Sequence, residues 1–157
     1  MSALLVVAAA IGFGFGSAIV PILNAEAYAV VSGTREPVAV AAFVALALAL
    51  GQTTGKLLLF EAARRGSARL ARLARFARRA RHGSNRWTER VRGVLDRPRT
   101  GVPLVLVSSS VGLPPLAVVA LAAGASAQTR VAFGIACFVG RLARFAVVAV
   151  PTAWALA

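Results

Sequence analysis

The chain has 157 residues, enough for one domain. It is 59% apolar, with a mean hydropathy of +0.77, which excludes an ordinary soluble composition and points to an integral membrane protein. The net charge is +13, and it is concentrated: thirteen arginines lie between Arg64 and Arg99 against only Glu89 and Asp96, so that segment alone carries +11. A block of this kind can serve nucleic acid, but it has neither aromatic interleaving nor a known binding motif, so no nucleic-acid partner is expected. Lying between apolar spans, it reads under the positive-inside rule as a cytoplasmic loop.

Taken in order, Ala3 to Val31 is one long apolar run whose single charge is Glu26. Its start, MSALLVVAAA, lacks the basic leader of a signal peptide and is read as mature membrane sequence. Gly12 and Gly16 have the GxxxG spacing that admits a close helix neighbour; a merely flexible glycine stretch is the alternative. Pro21 predicts a break or kink, with Asn24 and Glu26 just after it. A carboxylate at membrane depth costs roughly 2.5–3.5 kcal/mol and is expected to face a cavity or a partner. Broken backbone beside a buried acid is the pattern of a transport site. Ser32 to Pro37 is predicted as a turn, with Gly33 closing one helix and Pro37 opening the next.

Val38 to Phe60 is the clearest conventional span, about 35 Å long at 1.5 Å per residue. Gly51 and Gly55 repeat the GxxxG spacing, and Gln52, Thr53 and Thr54 can hydrogen-bond across helices. GQTTGK is one residue short of a Walker A loop and has Leu57 where Ser or Thr is needed, so a phosphate-binding loop is rejected. Lys56 is expected to snorkel toward the cytoplasmic surface and Glu61 to sit at the interface.

Residues 62–101 form the basic loop. Its opening, ARLARLARFARRAR from Ala68, repeats every three residues and predicts a short interfacial helix on anionic headgroups, with a solvated linker as the alternative. Trp87 is a candidate interfacial anchor and His82 a solvated residue. Val102 to Ala123 is a second broken segment, interrupted by GLPP at Pro114 and Pro115. Gly124 to Arg130 is a turn. Val131 to Ala157 is the last span, with Arg141 and Arg144 three apart on one helix face and expected to point inward. Cys137, the sole cysteine, is a packing residue, so no intrachain disulfide, metal site or cofactor is expected.

The two halves repeat one order of events: apolar limb, proline break, apolar limb, Gly33 or Gly124, polar turn, then a helix containing Gly51 or Gly140. The expected architecture is therefore all-α and polytopic: a single membrane domain, 1–157, of two inverted-repeat-like halves, 1–61 and 102–157, joined by the loop 62–101. Each half would hold a proline-broken, re-entrant or spanning, hairpin and a transmembrane helix.

PILNAE with Gly33, LGQTTGKLLLFEAARRG, GLPPLAVVALAAG and VAFGIACFVGRLARF, in that order, resemble the DedA family, also called the VTT or SNARE-associated superfamily. The resemblance runs from about Val20 to Phe145. It implies two facing re-entrant hairpins and movement of lipids, such as polyprenyl phosphates or phospholipids, across the cell membrane. It places Glu26 at the family's hairpin acid and Arg141 at its second G-R position, with Arg144 one turn on. The chain departs from the family in length, in lacking an acid directly after a PxPG-like turn, and in a second hairpin without charge.

The residues themselves support the same expectation. Arg141 and Arg144 would hold a lipid phosphate, since guanidinium forks match phosphate geometry. Glu26 would act as a competing anion or proton carrier, and Asn24, Gln52 and Lys56 would complete a substrate or ion site. Pro21, Gly33, Pro114, Pro115 and Gly124 would be the breaks and hinges. Membrane lipids are the expected partners, their anionic heads at the basic loop, and the glycine motifs suit a homo-oligomer. The alternatives are a structural ion pair between Glu26 and the arginines, and a non-transporting scaffold or assembly factor that uses the basic loop. An enzyme is not expected, because no nucleophile–His pair or His/Asp/Glu cluster can be assembled.

Overall fold

A computed structural model describes residues 3–20, 23–66, 90–91 and 93–155. The break at Pro21, and most of the basic loop with its three-residue repeat, His82 and Trp87, lie outside them. Among the described residues all regular structure is α-helical. The elements are α1 (Ala3–Ile19), α2 (Ala25–Arg35), α3 (Val38–Arg64), α4 (Pro98–Val111), α5 (Leu116–Gly124) and α6 (Arg130–Ala155).

The helix ends follow from local chemistry. Asn24, extended at φ −91° and ψ 99°, caps α2 by accepting from the Glu26 and Ala27 backbone N–H groups at 3.0 and 3.4 Å. Glu26 in the first turn and Arg35 in the last both complement the helix dipole. The turn expected from Ser32 to Pro37 is shorter than predicted. α2 runs through Gly33 to Arg35, and only Glu36 and Pro37 separate it from α3. Glu36 is extended, as a residue before proline must be, and its N–H caps the Ser32 carbonyl. Gly33 therefore does not break the helix: a Cβ there would lie 2.8 Å from the Ala149 carbonyl and collide with the Thr152 hydroxyl, so its missing side chain lets α2 approach α6.

The GLPP break is present. α4 ends at Gly112, whose φ of 86° suits only glycine well and whose N–H bonds to the Ser108 carbonyl. The Leu113–Pro114 bond is cis, and Pro115 opens α5. The Ser108 hydroxyl donates to the Pro114 carbonyl and so ties this turn to α4.

α3 and α6, of 27 and 26 residues, are long and apolar enough to cross a membrane by length and composition. In the most apolar eighteen-residue stretch of α6 only 28% is buried, against 56% for α3. The exposed share is strongly apolar: Val131, Ile135 and Val139, each four residues on, are 69%, 61% and 49% exposed. α2 and α5, of eleven and nine residues, are only about 17 and 14 Å long, well short of the ~30 Å hydrocarbon layer.

The chain forms two compact units. The first comprises α1, α2, α3 as far as Gly55, and α6 from Arg141 onward. Its close contacts use small residues. Gly51 lies against the Ile11 carbonyl and Phe15 of α1, and Gly55 against Ala18 and Phe15. The GxxxG of α3 thus makes the expected close helix contact. That of α1 does not: Gly14, not Gly12, packs on α3, where a Cβ would come 2.7 Å from the Leu48 carbonyl, and Gly12 faces open space. Phe13 stacks on Tyr28 at 4.9 Å, and the Tyr28 hydroxyl donates to the Val6 carbonyl, so the α1–α2 hairpin is clasped by an aromatic pair.

The second unit comprises α3 from Lys56, α4, α5 and α6 as far as Gly140. Its core is larger in side-chain size: Phe60 stacks on Phe133 at 4.9 Å, among Leu95, Val105, Leu116, Val119 and Cys137. Gly140 of α6 receives Ser109 and the Leu106 carbonyl of α4, and Gly124 of α5 receives the Phe60 carbonyl and Ala63 of α3.

Candidate functional site

Glu26 and Arg144 meet in the first unit. α2 begins at Asn24, whose side chain occupies the first free backbone donors, and this fixes Glu26 one residue inside the helix. Arg144 lies midway along α6. Its Nε donates to Glu26 Oε1 at 2.8 Å, and its Nη2 donates to the same oxygen. The guanidinium side chain is 22% exposed and the carboxylate 43%. The pair is partly withdrawn from solvent on the guanidinium side and open on the carboxylate side. Charge-assisted contacts of this kind are roughly twice as strong as neutral hydrogen bonds. Arg141, one turn earlier on α6, is half-buried. The helix that carries both arginines is otherwise apolar over most of its length.

The other expected site residues divide by location. Gln52 is buried and crosses from α3 to α1, its Nε2 donating 2.8 Å to the Ser17 hydroxyl, which in turn donates to the Gly14 carbonyl. Thr54 bonds within its own helix to the Leu50 carbonyl. Asn24 is a capping residue, with its side-chain oxygen committed to α2. Lys56, expected to reach toward the surface, is instead 7% exposed and belongs to the second unit. Pro114 and Pro115 stand at the turn between α4 and α5, and Gly124 closes α5. Pro21 lies outside the described residues.

Three features were not anticipated from sequence. Ser17, the partner of Gln52, is one small polar residue among glycines and carries no signal of its own. Tyr28 is the only tyrosine, and its clasp on α1 needs the hairpin geometry to be known. In the second unit Glu61 gathers Arg65 and Arg130, while Arg64 bonds to the Ser126 and Gln128 carbonyls and lies 5.0 Å over the Phe60 ring. The sequence places Glu61 at an interface but does not show that Arg130, 69 residues on, reaches it. Among the described residues no three His, Cys, Asp or Glu side chains come together to hold a metal.

No family model, curated protein or solved structure matches the chain.

Proposed function

We propose that this chain is a polytopic membrane protein of two inverted-repeat-like halves that moves phosphate-bearing lipid across a bilayer. Arg144 and Arg141 would be its phosphate-binding side chains, and Glu26 the anion that occupies Arg144 between turnovers. The observation that carries the reading is the Glu26–Arg144 pair, a carboxylate of the short helix α2 joined to a guanidinium midway along the long apolar helix α6. Intramembrane charges of this kind mark substrate and ion paths more often than they brace a fold. A phosphate presents the same oxygens to a guanidinium as a carboxylate does, so lipid exchange at Arg144 needs no new chemistry.

The glycine contacts support the repeat. Gly33 meets Ala149 and Thr152, which lie nine and twelve residues after Gly140. Gly124 meets Phe60 and Ala63, which lie nine and twelve residues after Gly51. Gly51 in turn seats α1 on α3, and Gly140 seats α4 on α6. One set of rules therefore describes both units: the first limb of each hairpin packs on its own long helix, the second on the other half's. The short second limbs, α2 and α5, fit re-entrant hairpins better than spans, leaving α3 and α6 as the crossings. With residues 62–101 cytoplasmic by their arginine content, the cell membrane is the natural location. Small DedA or VTT-type membrane proteins remain the family this organisation suits.

A scaffold reading also has one observation in its favour. The guanidinium and carboxylate contact one another directly, as a purely structural ion pair would. Reconstitution decides between them. Purified protein in proteoliposomes with a head-labelled phospholipid or polyprenyl phosphate should expose lipid faster than empty vesicles do. Arg144→Ala, Arg141→Ala and Glu26→Gln should abolish that excess while leaving the protein folded. Movement retained in Glu26→Gln and Arg144→Ala, or absent from folded wild type with every anionic lipid, refutes the transport reading.

A further inference from the structure

In the second unit a charged cluster joins the end of α3 to the start of α6. Arg65 Nε donates to Glu61 Oε1 at 2.7 Å. Arg130 grips the same carboxylate from the side, Nη2 to Oε1 at 3.2 Å and Nε to Oε2 at 3.1 Å. Arg64 donates to the Ser126 and Gln128 carbonyls at 3.3 and 2.9 Å, which fixes the turn leading into α6. Two guanidiniums thus contact one carboxylate and a third, that of Arg64, lies near it, a local excess of two positive charges. Glu61 is only 21% exposed, but Arg65 and Arg130 are 71% and 60% exposed. Glu61 therefore orients two guanidiniums without covering them. The α6 N-terminus adds its dipole at the same place.

Immediately beyond Arg130 the exposed face turns apolar: Val131 is 69% and Ile135 61% exposed, one turn apart. Charge and bare hydrocarbon-compatible surface adjoin on one helix. A soluble anion would use only the first of these, and an apolar partner only the second. A phospholipid has both, an anionic phosphate covalently joined to acyl chains. We infer that Arg65 and Arg130, held by Glu61, bind the headgroup phosphate of an anionic phospholipid whose acyl chain lies along Val131 and Ile135. The site is separate from the Glu26–Arg144 pair. It rests on the membrane reading of α3 and α6 but not on lipid movement at Arg144. It anchors the cytoplasmic ends of both helices to one leaflet.

The test uses the full chain purified in a neutral detergent and titrated with phosphatidylglycerol or phosphatidylcholine. Bound lipid is counted by native mass spectrometry and the thermal midpoint followed. Phosphatidylglycerol should be retained over phosphatidylcholine. Each basic residue near an anionic headgroup is worth about fivefold in affinity, so Arg65→Gln with Arg130→Gln should weaken phosphatidylglycerol binding about 25-fold and leave phosphatidylcholine unchanged. Glutamine keeps a donor for Glu61, and lysine at both positions, which restores charge, should recover most of the loss. Arg35→Gln, which removes an exposed arginine of the first unit, should leave the retained lipid within about twofold, a difference too small to count as one basic contact. Unchanged phosphatidylglycerol binding in the double glutamine variant overturns the inference, as does equal displacement of the lipid by free glycerol phosphate. A chain that needs detergent but binds both lipids alike refutes this site alone. A chain that is monodisperse without detergent removes the membrane reading and this site with it.

Discussion

The Glu26–Arg144 pair can be measured without any transport assay. The perturbation is a double-mutant cycle of Glu26→Gln, Arg144→Gln and the two together. With Nε at 2.8 Å from Oε1, the charge centres are about 4 Å apart, which at an effective dielectric of 20 corresponds to roughly 4 kcal/mol of attraction. Fully exposed pairs return only about 0.2–1 kcal/mol in such cycles. The carboxylate is 43% and the guanidinium 22% exposed, so screening reduces the larger figure substantially. A coupling of about 1–2 kcal/mol lies between these limits. Glu26→Gln also loses about 0.5 kcal/mol of favourable interaction with the α2 dipole, but that loss appears on both sides of the cycle and cancels. Unfolding in a mild detergent, followed by helix content against denaturant, gives the four stabilities. A coupling below about 0.3 kcal/mol, the scatter expected of independent sites, would refute the pairing and the use of Arg144 as an anion site.

Three further outcomes test the packing. Gly140→Ala places a methyl against Ser109 and the Leu106 carbonyl and should cost about 1–3 kcal/mol, whereas Gly12→Ala meets nothing and should stabilise by about 0.5–1 kcal/mol; thermal midpoints moving the same way in both would contradict the contacts. Asn24→Ala removes the α2 cap and should cost about 1 kcal/mol, while Asn24→Asp, which keeps an acceptor, should restore most of it. Phe133→Ala empties the stacked pair at the centre of the second unit and should cost about 3–5 kcal/mol; a loss under 1 kcal/mol would place Phe133 outside that core.

Helix identity and the GLPP interruption were legible because hydropathy and proline act locally. Val38 to Phe60 reads as a span from its composition alone, and the structure lengthens it only to Arg64, where the arginines begin. Gly112 and two prolines leave little choice but to stop a helix. Gly33 misled for an instructive reason: a glycine near a helix end can mark either a left-handed cap or a close neighbour, and the neighbour here, α6, is more than a hundred residues away in the chain. The same holds for Gly12 and Gly14, which differ only in the face they present. Glu26 stood out as the one charge in its run, but its choice of Arg144 depends on where α6 lies, which no local rule encodes. Asn24 shows the converse. Its position before an acid in an apolar run suggested a ligand, while the ordinary role of asparagine ahead of a helix, to cap it, is the one it performs.

The division of α3 and α6 between the two units bears on how the chain is made. The second unit is drawn from one uninterrupted stretch, Lys56 to Gly140, so every part of it has left the ribosome before residue 141 does. The first is not: Gly33 waits for Ala149 and Thr152, and Glu26 for Arg144. During synthesis, then, the α1–α2 hairpin emerges first and matures last. Throughout that interval Glu26 lacks Arg144 and Gly33 lacks its neighbours on α6. A ribosome stalled before residue 141 would leave the second unit with all its residues made and the first with α1 able to meet α2 and α3 but with α6 still missing.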